Sequence, residues 1–423
     1  MKICHVITRL IVGGAQENTL LTCRGLHERG HDVTLIAGPE TGPEGSLWDA
    51  AETIGCRLVR IDSLRRAIHP TRDVAALSAL IRSFRKLRPD IVHTHSSKAG
   101  ILGRLAAHRA GVPRIIHTIH GMSFNRAQSG LRRFFFRELE ALAAGPTHHF
   151  ITVADAMRRQ SVDAGIAAPE RFTTIRSGMD TDAFRPDARL RSQVRKEWHI
   201  AEDDVVVGTI ARLFDNKGYD EIIAAMPTAL ARCPRLRFVW IGDGARRNEY
   251  AKRLTQIALP TEAAALAARC RKAARAEARG SGVSLADRGT LGNRKAAAGT
   301  ALDRVHFTGL VAPSAIPRLV NGLDIVLHAS RWEGLPRALV QGLLTEVPAI
   351  SFDNDGAPEV VVDGETGLLI PYGDIAALAD AIVRLSADAS LRKRLGQEGR
   401  RRCVEEFHWQ TMVDRIEEVY EGP

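Results

Sequence analysis

Short β-branched runs alternate along this chain with longer stretches in which apolar residues recur every three or four positions. In the first half the runs fall at 2–7, 32–37, 57–61, 90–94, 114–119, 149–153 and 172–175. Between most of them lie amphipathic segments such as 14–29, 71–87 and 98–110. Strands separated by helices, not by tight turns, predict βαβ crossovers and a parallel sheet. A second series follows at 204–210, 236–241, 304–308, 324–328, 347–351 and 366–370, with helices near 218–232, 312–321, 336–345 and 374–386. Two successive doubly wound α/β units are predicted, each binding ligands at the carboxyl ends of its strands. The segment 185–203, with Pro186 and many charges, is expected to link them. Residues 404–421, with Met412, Ile416, Val419 and Tyr420 at helical spacing, read as a terminal amphipathic helix.

Composition narrows this picture. A chain of 423 residues with 45% hydrophobic and 26% charged positions suits a soluble protein of two or three domains. No run approaches the roughly 18 apolar residues of a membrane span, and the start, Met1-Lys2-Ile3-Cys4-His5-Val6-Ile7, reads as a strand and lacks a signal peptide's apolar core. The six cysteines are scattered without a C-x-x-C pair, which argues against a zinc site or a disulfide framework and for reduced thiols in a cytoplasmic protein.

Charge is uneven. The net +10 is concentrated in residues 1–190, with 27 Lys/Arg against 18 Asp/Glu, and in 246–300, with 12 against 4. The segment 260–300 is Arg/Ala-rich and then Gly/Ser-rich, with few large apolar residues, and is expected to be a surface insertion. Arg132-Arg133-Phe134-Phe135-Phe136-Arg137 has two readings: a helix with one buried face, or a patch that lies on an anionic membrane. Nucleic acid is not an expected partner, because the basic segments lack interleaved aromatics and a recognisable module.

Three places carry chemistry. Gly13-Gly14 follows the first strand and opens a helix, where glycines let the backbone approach a phosphate and free N–H groups point at it. A tight βα turn without a ligand would look the same. In the second half, strand 204–210 runs into Ala211-Arg212-Leu213-Phe214-Asp215-Asn216-Lys217-Gly218. Two cations just past a parallel strand suit a diphosphate, Arg as a fork and Lys as a point charge. The third place is Ser330-Arg331-Trp332-Glu333-Gly334-Leu335-Pro336-Arg337-Ala338-Leu339-Val340-Gln341, after strand 324–328. Pro336 suits a helix start, leaving Glu333 and Gly334 on the loop. His93, His95, His117 and His120 lie on two strand ends without a completing carboxylate or cysteine, and are read as active-site polar residues, not metal ligands.

These strings, in this order, resemble the family-4 retaining glycosyltransferases. Further matching stretches are Val92 through Gly100, His117-Thr118-Ile119-His120-Gly121, Ser177-Gly178-Met179-Asp180, Gly242-Asp243-Gly244, Phe307-Thr308-Gly309, Asp355 through Glu359 and Asp363 through Gly367. The resemblance covers the chain apart from 260–300 and implies a GT-B fold: two facing Rossmann-like domains, here 1–190 and 200–403, with residues 404–423 returning to the first. It implies transfer of a hexosyl or N-acetylhexosaminyl group from a nucleoside-diphosphate sugar to an acceptor hydroxyl, without metal or other cofactor. Gly13 and Gly14 would face the donor phosphates; Arg212 and Lys217 would neutralise the diphosphate; Glu333 would bind the sugar hydroxyls. The backbone of Gly334 and Leu335 would line that pocket, and His120 would sit near the reacting sugar. Many relatives carry a second Glu where this chain has Gln341, a change an amide tolerates if the position binds ribose and does not shuttle protons.

The acceptor is less constrained. Stretches like Thr94-His95-Ser96-Ser97-Lys98-Ala99-Gly100 occur in similar sequences of cell-surface polysaccharide synthesis, which makes His95 and Lys98 acceptor-side candidates. A glycan or lipid-linked acceptor would place the protein in the cytoplasm, on the inner face of the membrane. Two alternatives remain at this level: a nucleotide-sugar epimerase of the same architecture, and a catalytically silent nucleotide-sugar-binding partner of other transferases.

Overall fold

The computed structural model describes residues 1–39, 45–124, 128–259 and 299–422. The biased segment 260–300 therefore lies outside the described residues except for Gly299 and Thr300. The chain divides into two compact units. The first comprises Met1–Thr181, Glu333–Arg337 and Val404–Pro423, and the second Asp182–Trp332 and Ala338–Cys403.

The first unit is built on seven parallel strands: β1 (Lys2–Arg9), β2 (Asp32–Gly38), β3 (Arg57–Arg60), β4 (Ile91–His95), β5 (Arg114–Ile119), β6 (His149–Thr152) and β7 (Phe172–Thr174). Helices α1 (Gly14–Glu28), α2 (Trp48–Glu52), α3 (Pro70–Leu87), α4 (Ser97–Ala110), α5 (Gly130–Ala144) and α6 (Asp155–Asp163) connect them. The spatial order is β3-β2-β1-β4-β5-β6-β7, so the direction of winding switches between β1 and β4. Strand β1 is buried at every position after Lys2, as a strand covered on both faces should be. On one face Ile3, Ile7, Ile91 and Ile116 pack with Leu20 and Leu26 of α1. On the other Cys4, Val6, Val92 and Ile115 pack with Leu80, Phe84 and Ala106.

The second unit has six parallel strands: β8 (Val205–Ile210), β9 (Leu236–Ile241), β10 (Val305–Gly309), β11 (Ile325–His328), β12 (Ala349–Phe352) and β13 (Gly367–Ile370). Their order is β10-β9-β8-β11-β12-β13, with the switch between β8 and β11. The helices after the first six are α7 (Ala188–Glu197), α8 (Tyr219–Arg232), α9 (Arg247–Leu254), α10 (Ile316–Val320), α11 (Arg337–Leu344), α12 (Ile375–Ala387), α13 (Ala389–Glu406) and α14 (Trp409–Glu421). Trp240, Tyr219 and Phe352 anchor its core.

Two expectations need correction. The segment 185–203 is not a bare linker, because α7 occupies most of it and is seated on the second unit. The Asp187 carboxylate caps α7 by accepting from the N–H groups of Arg189 and Leu190, at 2.7 and 3.1 Å. Arg195, fully buried, reaches the Asp324 carboxylate at 2.5 Å and donates to the carbonyl of Asp204. Nor is 404–421 one helix. It breaks at Phe407-His408, where Met179 N–H donates to the Phe407 carbonyl (2.7 Å) and Trp409 N–H donates to the Met179 carbonyl (3.1 Å). That bridge holds His408 extended, and α14 starts afresh with Trp409, Met412, Val413, Ile416 and Tyr420 packed on the β1 face with the isoleucines.

Candidate active site

In the first unit the switch between β1 and β4 brings together the turn after β1, the end of β4 and the end of β5. Gly13 is the residue before α1 and Gly14 its first residue, exposed. A side chain at Gly14 would start 2.7 Å from Cδ of Arg337. Arg337, which opens α11, donates to the Gly178 carbonyl at 2.9 Å and pairs with Glu17 of α1 at 3.0 Å. Two residues that sequence reasoning left without a role, Glu17 and Arg337, therefore fix this corner. The one signal for Arg337 was its place in the Glu333–Gln341 string.

Gly334 and Leu335 are buried in the same unit, with Glu333 partly buried ahead of them. A Cβ on Gly334 would stand 2.1 Å from the His120 carbonyl oxygen, so only glycine lets this loop pass the end of β5. His120 itself is half-buried. Burial, followed by the positive charge of Arg337, lowers its pKa from 6.5 to about 3, so the ring is neutral at physiological pH.

The other histidines lie deeper than expected. β4 and β5 are neighbours, so their ends meet, and β1 adds His5, which pairs in register with His93. His5, His93 and His95 are at most 1% exposed, and burial drives their pKa values down, that of His5 to about 3. His95 is thus an interior residue that cannot touch an acceptor, a correction to its reading as an acceptor-side group. Nitrogens of His5, His93 and His95 lie within 4.8 Å of one another, a spacing that admits a metal ion. These rings, however, already hydrogen-bond to one another or to Tyr420 and Thr118. His117 faces the opposite side of the sheet, bonded to Thr94 Oγ1 at 2.9 Å, and is held neutral by burial and the nearby Arg104 charge.

Lys98 is also corrected. Its ammonium sits 2.6 Å from Asp73 and 2.5 Å from the Ala67 carbonyl, so it ties α4 to α3 instead of offering a cation. Beside His120 lies a cavity of about 230 Å³, lined among others by Ser96, Ser97, His117, Glu140 and Ser161. Arg104, with no exposed surface, holds Glu140 at 2.5 Å there.

In the second unit the corresponding switch lies between β8 and β11. The loop after β8 carries exposed Arg212, whose guanidinium stacks over the Phe214 ring at 4.9 Å, and half-buried Lys217. Gly218 turns the loop into α8 with φ 74°, and a Cβ there would meet the Ala329 carbonyl oxygen at 1.8 Å. Arg331 N–H donates to the Asn216 carbonyl at 2.9 Å, and its guanidinium pairs with Glu221 (2.8 Å) and Asp220 (3.1 Å). Gly242 and Gly244, after β9, close in on the Ala211 and Leu213 carbonyls. Gln341 lies on α11, half-buried. The two cations that the sequence singled out therefore stand at the carboxyl ends of the central strands, beside the N-terminus of α8, where anions bind.

Comparison with known proteins bears on the family and the fold. Residues 12–183 match the model of Glycosyltransferase Family 4, and residues 293–402 match that of Glycosyl transferases group 1. A UDP-Gal:alpha-D-GlcNAc-diphosphoundecaprenol alpha-1,3-galactosyltransferase of Escherichia coli is 26% identical, over 99% of this chain and 96% of that protein. A GDP-mannose-dependent alpha-(1-6)-phosphatidylinositol monomannoside mannosyltransferase of Mycobacterium tuberculosis is 25% identical, over 93% and 90%. The crystal structure of Anabaena HepE in complex with UDP and glucose shares the fold, with a TM-score of 0.74 at 19% identity and 99% of both chains covered. The relatives named are transferases, and they lend no support to the epimerase or silent-partner alternatives. Two Rossmann-like parallel sheets, the ordered motif strings at their strand ends and both halves of the family signature place this chain in glycosyltransferase family 4, among the group-1 glycosyltransferases.

Proposed function

We propose that the protein transfers a hexosyl or N-acetylhexosaminyl group, with retained anomeric configuration, from a nucleoside-diphosphate sugar to a hydroxyl of a glycan or lipid-linked acceptor. The observation that carries this reading is the pair Arg212 and Lys217 on the loop after β8, backed by the N-terminus of α8. Positive charge already in place where a diphosphate leaves stabilises the transition state without reorganisation. The same two cations serve where other enzymes use a metal, so the proposal includes no cofactor. Glu333 accepts from the hydroxyls of the transferred sugar, backbone N–H groups at Gly334 and Leu335 line its pocket, and Gln341 bonds the ribose. Gly13 and Gly14 leave room for the donor phosphates, and His120 meets the reacting sugar as a neutral ring. The acceptor hydroxyl attacks the anomeric carbon from the face the diphosphate leaves.

Arg212→Ala and Lys217→Ala should each lower turnover at least about 100-fold, the scale of losing one preorganised charge-stabilising donor, with unchanged circular dichroism. Near-normal transfer in both variants would overturn the assignment. A thermal-shift panel of nucleoside diphosphates and their sugars should single out one base, since a ligand at about 100 Kd adds ~2.7 kcal/mol to the folded state.

The acceptor side includes a membrane surface in this proposal. On α5 the side chains of Leu131, Phe134, Phe135 and Leu142 are exposed, with Leu131 at 82%. Arg132 and Arg137 lie over the Phe136 and Phe134 rings. Apolar side chains flanked by arginines suit an anionic bilayer on the cytoplasmic side. No helix of the described residues is long and apolar enough to cross a membrane. Sedimentation with phosphatidylglycerol vesicles should pull down the protein at low salt and fail for Phe134→Ser/Phe135→Ser; equal binding of both would remove the membrane from the proposal.

A further inference from the structure

The buried histidines of the first unit form a chain. His93 Nε2 lies 2.6 Å from Thr118 Oγ1, and His93 Nδ1 lies 2.6 Å from the Tyr420 hydroxyl. The same hydroxyl is 3.4 Å from His5 Nε2. His5 Nδ1 is 2.9 Å from His95 Nε2, and His95 Nδ1 is 3.1 Å from His120 Nε2. His120 Nδ1 makes no hydrogen bond among the described residues. A neutral imidazole carries one N–H and one lone pair. Each ring therefore passes on the direction it receives, while the Tyr420 hydroxyl can donate to one side or accept from both. Three arrangements satisfy every link, and they leave His120 in only two states.

In the first, Thr118 donates to His93, His93 to Tyr420, Tyr420 to His5, His5 to His95, and His95 to His120. His120 is then left with its N–H at Nδ1. In the second every bond is reversed: His120 donates inward through Nε2 and shows a lone pair at Nδ1. In the third Tyr420 accepts from both His93 and His5, and His120 is left as in the second. Whether Tyr420 donates to His5 or accepts from it thus sets the His120 state, and a break between Tyr420 and His120 removes that control.

We infer that His5, His93, His95 and Tyr420 act with His120 as one hydrogen-bonded unit that fixes which face, donor or acceptor, His120 turns outward. His95, His5 and Tyr420 are on this account positioning residues for transfer, acting through His120; the role rests on the reading that His120 meets the sugar. Tyr420 makes α14 part of the active-site apparatus although its side chain reaches no substrate.

The test uses the full chain labelled with ¹⁵N-histidine. In the unmodified protein, scalar couplings across N–H···N hydrogen bonds should link His5 to His95 and His95 to His120, and one His120 tautomer should dominate. Tyr420→Phe removes a single hydroxyl and should mix the His120 tautomers. It should lower kcat about tenfold, the lower end of the effect of losing an orienting partner of a functional histidine, with donor KM unchanged. His95→Gln, which keeps a donor and an acceptor, should restore part of the activity lost in His95→Ala. Absence of both couplings, or an unchanged His120 tautomer in Tyr420→Phe, would overturn the linked unit, and the couplings decide the matter even if the variants fold poorly. Full activity in His120→Ala would instead refute the contact with the sugar, and with it the positioning role, while leaving the couplings as measured.

Discussion

Gly334 and Arg337 show how little space separates function from packing at the level of single residues. The Gly334 position is defined by a carbonyl, not a side chain, so the neighbour cannot move aside cheaply. Gly334→Ala should shift the loop that carries Glu333 and reduce kcat/KM about 100-fold, the scale of a misplacement of about 1 Å. Its melting temperature should change far less. Arg337→Met removes one hydrogen bond to Gly178 and one ion pair to Glu17. A loss of about 2 kcal/mol in the chemical stability of the first unit is expected, typical of a charged hydrogen-bonding group, and urea denaturation would read it. Neither residue's environment could be derived from the chain alone. The Glu333–Gln341 string was legible as chemistry, but the partners that hold it come from Glu17, His120 and Gly178, far away in sequence. His95 and Lys98 failed for the converse reason. Their surroundings are set by distant partners: register turns His95 inward and Asp73 satisfies Lys98.

At the level of elements, periodicity was a good guide where one physical signal dominated. The β-branched runs at 2–7, 90–94 and 236–241 became interior strands because burial on both faces needs such continuous apolar sequence. The break at Phe407-His408 was not legible, since amphipathic spacing continues across it and only the Met179 bridge interrupts the helix. The helix at Ala188–Glu197 was hidden for a similar reason: its polar sequence is stabilised by buried Arg195 and its pairing with Asp324, not by an apolar stripe. The turn at Gly218 carries a prediction of its own. Any L-residue there meets both a positive φ and the Ala329 carbonyl, so Gly218→Ala should destabilise the second unit by more than ~2 kcal/mol. Differential scanning calorimetry should show that unit's transition falling while the first unit's stays in place.

Across the whole molecule, ionisable burial is unequal. His5, His93, His95, His117 and His120, all with lowered pKa values, belong to the first unit. Each is neutral when folded and binds a proton near pH 6.5 when unfolded, so its contribution is intact above that pH and is lost progressively as pH falls below it, for His5 and His120 down to about 3. Each such ring removes at most about 1.4 kcal/mol per pH unit below its unfolded pKa, and several together take a substantial share of a domain's stability. The first unit should therefore unfold first on acidification, with a steep proton uptake measurable by urea titrations between pH 7 and 5, and His93→Gln should make the dependence shallower. The position of α14 has another consequence. Trp409, Met412, Val413, Ile416 and Tyr420 belong to a core whose strands are translated first, yet the ribosome delivers them only after the entire second unit. During synthesis the emerging β1 layer has a greasy face with no cover, and a chaperone is the natural tenant until the last helix arrives. A fragment ending at Thr181 would keep that vacancy permanently and should aggregate, whereas adding a peptide of residues 404–422 should rescue its solubility.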